Sequence, residues 1–422
     1  VTLRVKHSAD NPEPVREPTD LNFPRVLILS NQTPQTVYAG CILLYRLFEQ
    51  YPADLLFVIG QAPHPDSTLL KCRYETIVPP LQRLHTTRLA ALKRSLDAFG
   101  VLPGISPRRV RQILGDFKPD VVVSVMEERY AAVAARYAKS ENIPLILIVH
   151  DKPELFDHVY PWATARQIKA HAAVYKSAAA RLNVSPEMRD HLRELYGTAG
   201  DVMYPNRSEQ IVPRPIEDSQ TLRTPPLLTI GYAGTLAYGY GDQLRKLAAA
   251  IGGTNLRLKI YGAVARDTDP LATEFSDVVD CRGLISPPER LWPVVQAECD
   301  AVILPYAWSA TGSSVDLYRT HFPSKLPEYL ALGMPVIVMG PGFATGVAWG
   351  IRNPEAVIRL DVEDAVYWVD SLEKLRTDAG LRMNAARAAG VAGDRDVDPV
   401  RIRTEFVERI RSIAAGAGAK RT

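Results

Sequence analysis

Residues 322–340 read FPSKLPEYLALGMPVIVMG, and the fold is decided there. The stretch parses as a tight turn, a short helix and a buried strand. Ser324 is a residue type that caps a helix, and Pro323 is tolerated near a first turn. Leu326, Tyr329 and Leu330 recur at helical spacing. Gly333 stops the helix and Pro335 cannot continue it. Residues 336–339, VIVM, form a continuous apolar run, which suits a parallel strand covered on both faces.

The chemistry is expected at the front of this helix. Free N–H groups and the positive dipole end of a helix attract anions. Lys325 adds a point charge suited to phosphate. Glu328 follows, where its carboxylate can accept hydrogen bonds from neutral hydroxyls. A phosphate site beside a hydroxyl acceptor suits a nucleotide with its diphosphate and ribose; an ordinary capped surface helix fits the spacing as well.

FPSKLPEYLALGMPV resembles the nucleotide-sugar motif of retaining glycosyltransferases of the GT-B fold, the glycosyl transferases group 1 family. Weaker echoes in the same order run from about residue 25 to 390. The resemblance implies two Rossmann-like, doubly wound α/β domains facing a cleft. It further implies metal-independent transfer of a sugar from a nucleotide-diphosphate donor, with retention and without a cofactor. Donor contacts carried over are Gly234, Thr235, Gly262, Leu284, Ser324, Lys325, Leu326 and Glu328. His150, Lys325 and Glu328 are the catalytic set, and Gly40 lies in the acceptor or phosphate loop.

Length and composition agree with two domains. The chain has 422 residues, 46% hydrophobic and 23% charged, as in soluble globular proteins. A net charge of +3 is too small to imply nucleic acid. Cys41, Cys72, Cys281 and Cys299 lack metal-ligand spacing, which fits a reducing compartment. Neither a transmembrane-length apolar run nor a signal-peptide core is present, so the expectation is a cytoplasmic protein.

Along the chain, residues 1–24 read as a mobile arm and 25–207 as the acceptor-side domain. Residues 25–30 form the first strand, and Gly40 opens the helix after it; the residue serves equally as a plain helix-start glycine. From Arg83 to Arg111 basic side chains dominate, with Asp97 the one acid. Leu89, Leu92, Leu96 and Phe99 share a helical face there. The segment is read either as a peripheral contact with the inner face of a membrane or as a solvated helix packed on the sheet. Residues 145–149 form a buried strand ending in His150-Asp151. Strand carboxyl ends are where open α/β sheets bind ligands. By resemblance His150 faces the transferred sugar; otherwise it bonds a nearby carbonyl. Asn206 is expected on the cleft rim.

Residues 208–226 are Pro-rich and aperiodic, hence a linker. Residues 227–385 form the nucleotide-sugar domain, and 386–422 the terminal helices and tail. Glycines at 231, 234, 239 and 241 follow its first strand and let backbone approach a ligand. Relatives carry an Arg and a Lys in this loop, whereas here Thr235 fills the first slot and no base appears before Arg245. Lys325 and Arg319 are the substitutes for the diphosphate, with Arg266 a weaker one. The first of the family's paired glutamates is replaced by Thr320. Asp267 and Asp269 read as a polar loop rather than a metal site, and residues 306–321 as a long polar insertion of the lid type. The expected partners are a nucleotide sugar and a sugar, lipid-linked or other small acceptor. The alternatives are a nucleotide-sugar epimerase on the same fold and a non-catalytic sugar-nucleotide-binding protein.

Overall fold

The structure is a computed structural model that describes residues 23–37, 39–65, 67–78, 84, 87–99, 104–126, 128–153, 159–216, 224–262, 265–285 and 290–418. The arm expected at 1–24 lies almost wholly outside these residues. So do part of the 208–226 linker, Glu127 and the side chain of Arg266.

Two parallel sheets organise the chain. The first contains β1 (Val26–Ser30), β2 (Leu56–Gly60), β3 (Arg73–Thr76), β4 (Val121–Val125), β5 (Leu145–Val149), β6 (Ala180–Asn183) and β7 (Asp201–Val202), in spatial order 3-2-1-4-5-6-7. The second contains β8 (Leu228–Ala233), β9 (Leu256–Tyr261), β10 (Val279–Gly283), β11 (Ala301–Pro305), β12 (Val336–Met339) and β13 (Ile358–Leu360), in order 10-9-8-11-12-13. Both orders reverse at the first strand of their sheet, the doubly wound arrangement that opens a ligand crevice beyond the strand carboxyl ends. β1, β2, β4, β5, β11 and β12 are buried at every position, which explains sequences that are apolar apart from Ser30 and Ser124. This two-lobe α/β architecture is the GT-B fold.

Serines preceding proline start helices as the sequence suggests. Ser185 accepts from Met188 N at the head of the Pro186–Tyr196 helix, and Ser106 does the same for Pro107–Leu114. Elsewhere the chain departs from its reading. Residues 265–274, expected as a loop around Asp267, form a helix. Half of the supposed lid at 306–321 is the Ser313–Thr320 helix, with Tyr318 buried. Ser324 does not cap: the decisive helix spans Leu326–Leu330, with Lys325 at its N-cap and no side-chain cap.

The core joins the lobes. One buried cluster runs from Val26, Leu44 and Phe48 of the first lobe to Leu304, Tyr329 and Trp349 of the second, completed by Ile402, Phe406 and Ile410. Those last three lie on the Pro399–Gly418 helix, which crosses back onto the Ala39–Phe48 helix. Phe406 meets Phe48 edge-on at 5.3 Å between centroids. Arg403, on the same helix, bonds both Glu49 and Glu209.

Candidate active site between the lobes

Lys325 stands at the N-cap of the Leu326–Leu330 helix in the second lobe. Its ammonium lies 5.5 Å from the Tyr232 ring centroid and 5.3 Å from that of Tyr240. Its stem crosses Gly234, where a Cβ would overlap Lys325 Cε. Gly234 has φ +142, so the position excludes side chains on both counts. Burial pushes the ammonium down to about 8 from its ordinary 10.5. Among the described residues no carboxylate forms an ion pair with it. A partly desolvated cation without a counter-ion is costly, and an arriving anion offsets that cost.

The glycine loop around this ammonium is braced. Tyr232 Oη donates to the Thr235 carbonyl at 2.5 Å, and the Thr235 hydroxyl accepts from Ala237 N. Tyr238 adopts φ +61, a left-handed conformation that is strained for a bulky residue. The Tyr318 hydroxyl, from the supposed lid, donates to the Tyr238 carbonyl and fixes that strained turn. Gly262 and Gly283 close the neighbouring strand ends, and Gly262 N donates to Gly283 O. Leu284 stands exposed beyond them.

The helix-end argument for anion binding weakens in the structure. The Leu326–Leu330 helix is little more than one turn. Leu326 N already donates to Pro323 O, and Pro327 has no N–H. Positive charge at this point therefore comes from the Lys325 side chain, with little help from the helix.

Glu328 turns toward the hinge. Its Oε1 lies 2.6 Å from the Arg46 guanidinium of the first lobe, and its Oε2 accepts from Ser208 N at 3.1 Å. Arg46 also donates to the Asn206 carbonyl, so the expected rim residue takes part through its backbone. A carboxylate offers about four acceptor sites, which leaves room for ribose hydroxyls beside these two partners. Arg319 is exposed and stacks on Phe343, 4.8 Å from guanidinium to centroid. Ser324 is exposed and Leu326 fully buried.

In the first lobe, His150 follows β5 and packs against Gly40, where a Cβ would strike His150 Nε2 and Gln32 Oε1. A glycine is needed at 40 to let the imidazole approach the chain. His150 Nε2 lies 3.3 Å from Asp151 Oδ2. Asp151 Oδ1 lies 3.0 Å from Nδ1 of His321, which the sequence reading passed over. His321 Nε2 accepts from Lys152 N at 2.9 Å, so the imidazole carries its proton on Nδ1 and donates to Asp151. One carboxylate thus links histidines of opposite lobes. Ser185 Oγ donates to the Thr320 carbonyl, and Phe322 packs on Tyr204 at 4.7 Å. Residues 320–322 are therefore clasped by the first lobe just ahead of Lys325.

The missed residues differ in how visible they were. His321 immediately precedes the quoted stretch, and Tyr232 and Tyr240 flank the glycine loop; each could have been nominated. Arg46 meets its partner 282 positions away, and nothing local announces that. Among the described residues no cluster of His, Cys, Asp or Glu is arranged to hold a metal ion.

Residues 58–206 match the family described as Glycosyl transferase 4-like domain. No curated protein matches the chain. Solved structures match over almost the whole length. HepE from Anabaena, in complex with UDP and glucose, is 15% identical with a TM-score of 0.61, covering 92% of this chain and all of HepE. Sucrose-phosphate synthase from Thermosynechococcus elongatus is 14% identical with a TM-score of 0.66, covering 93% of this chain and 99% of its own. A glycosyltransferase from Rickettsia africae is 13% identical with a TM-score of 0.62, covering 92% and 97%. At these identities the likeness is one of fold.

Proposed function

We propose that the protein transfers a sugar from a nucleoside-diphosphate donor to an acceptor hydroxyl, with retention at the anomeric carbon and without a metal. The observation that carries this reading is the Lys325 side chain, half-buried across Gly234 between the Tyr232 and Tyr240 rings and without an ion-pairing carboxylate among the described residues. A pyrophosphate placed there meets the charge that burial has made costly to leave bare.

Charge grows on the leaving phosphate as the glycosidic bond breaks. Lys325 stabilises that oxygen more in the transition state than in the ground state, which lowers the barrier. Glu328 holds ribose hydroxyls with its remaining acceptor sites. His150, whose Nε2 lies 3.3 Å from the Asp151 carboxylate, contacts the sugar from the opposite lobe. The departing phosphate takes the acceptor proton, so no protein nucleophile is required. The HepE structures hold UDP and UDP-glucose, which makes uridine diphosphate sugars the first donors to try.

The test is incubation with a panel of nucleotide sugars and acceptors. Nucleotide release that depends on acceptor, unchanged by EDTA, is the expected result. An isomerised donor instead identifies an epimerase, and saturable binding without turnover identifies a sugar-nucleotide-binding protein.

A further inference from the structure

We infer that the face formed by the Ala90–Ala98 and Pro161–Ser177 helices docks on an anionic phospholipid surface. The first observation is an inverted helix. Amphipathic helices normally turn their apolar stripe inward. Here the buried residues of the Ala90–Ala98 helix are Lys93 and Ser95. Of the stripe Leu89, Leu92, Leu96 and Phe99, only Leu96 is half-buried, while Leu89, Leu92 and Phe99 are 52%, 39% and 44% exposed. Lys93 tolerates burial through its bond to Asp97 at 3.2 Å, and Ser95 by donating to the Ala91 carbonyl and accepting from Tyr160 N.

The second observation comes from the neighbouring helix. Trp162 is 56% exposed, stacked at 6.3 Å on Tyr160 and lying 5.7 Å from Phe99. Phe99 thus joins the two helices into one aromatic patch. Large rings with a polar edge are the side chains that settle at the membrane–water boundary.

The third observation is charge. Trp162, Arg166, Lys169, Ala173 and Lys176 are all exposed and recur at helical spacing along one stripe of the Pro161–Ser177 helix. That helix contains no acid. The single acid of the Ala90–Ala98 helix, Asp97, is engaged with Lys93. Arg166 lies over the Phe99 ring at 5.9 Å, and Arg88 is exposed beside Leu89. An aromatic and aliphatic centre rimmed by unopposed cations complements anionic headgroups above an apolar layer. A solvated protein surface has no use for three bared apolar residues above a buried lysine. No helix among the described residues is long and apolar enough to cross a membrane, so this contact is one of surface docking.

The test uses the full chain and sedimentation with vesicles. Vesicles of phosphatidylcholine mixed with phosphatidylglycerol should pull the protein down, and pure phosphatidylcholine should do so poorly. The Phe99→Ser/Trp162→Ser double variant should lower the partition about tenfold or more at unchanged melting temperature, because both residues are surface residues. Arg166→Glu should weaken it in low salt and matter less in high salt. Absence of vesicle binding by the wild type overturns the inference. So does binding that the double variant leaves unchanged. If the wild type instead self-associates in a manner abolished by the same substitutions, without binding vesicles, the face is a contact between copies and the inference is wrong. Because the readout is lipid partition, the result stands apart from whether sugar transfer is found.

Discussion

Arg46 of the first lobe holds Glu328 of the second at 2.6 Å, with both side chains largely withdrawn from solvent. The pair joins the hinge to the residue expected to receive the ribose, because the second carboxylate oxygen accepts from Ser208 of the linker. Removing one member of a largely buried ion pair strands the other. Arg46→Ala should therefore destabilise the fold by about 3 kcal/mol. It should also weaken donor binding, since Glu328 would lose its orientation. Urea unfolding and calorimetry with a nucleotide sugar measure the two effects; a loss of stability with unchanged affinity would separate Glu328 from the donor.

Lys325→Ala should weaken nucleotide-sugar binding by about 2 kcal/mol, roughly thirtyfold, with the fold intact. The pH dependence is more specific. With the free ammonium titrating at about 8, affinity should be level below that value and fall as pH rises through it. A nucleotide sugar has no phosphate that titrates in this range, so a flat profile in Lys325→Ala assigns the slope to this residue. Stability of the donor-free protein should run the other way. Between about 8 and the unfolded value of 10.5 the unfolded chain binds the extra proton, so stability relative to Lys325→Met should rise with pH.

His150→Ala should depress kcat more than donor affinity, since it acts on the sugar rather than on the diphosphate. Asp151→Asn should do the same by about tenfold, because the amide cannot hold both imidazoles as the carboxylate does. His321→Ala tests the contribution from the second lobe. A fall in kcat without a change in donor Kd is expected, and equal losses in both would place His321 in donor binding instead.

These residues show how far sequence carries. Parallel strands without polar alternation, such as residues 145–149, announced a sheet covered on both faces, and Gly333 and Pro335 bounded the central motif; the fold followed from those. Lys325 and His150 were legible because each sits at the end of such a strand or beside such a turn. The helix at 90–98 left two readings open for a physical reason. Its stripe has the right period to pack, yet Asp97 compensates Lys93 from inside, and periodicity cannot say which face is turned to water. His321 and Arg46 escaped because their meaning arises only when the lobes are brought together.

Arg403→Ala should cost about 1 kcal/mol, since it leaves the solvent-exposed Glu49 and Glu209 near the hinge without their shared cation. Partial burial already raises the Glu49 carboxyl, and loss of the guanidinium should raise it further. The deficit should therefore shrink toward acid pH, where the carboxyls become neutral. Melting temperatures across that range would check it.

The crossing helix has one further consequence, for biogenesis. Ile402, Phe406 and Ile410 supply part of the apolar interior against which Phe48 packs. During translation the first lobe emerges long before those residues are made. It must wait on the ribosome with that seam open, and it closes only once residues 399–418 have been released, so the nascent chain should bind a chaperone until then.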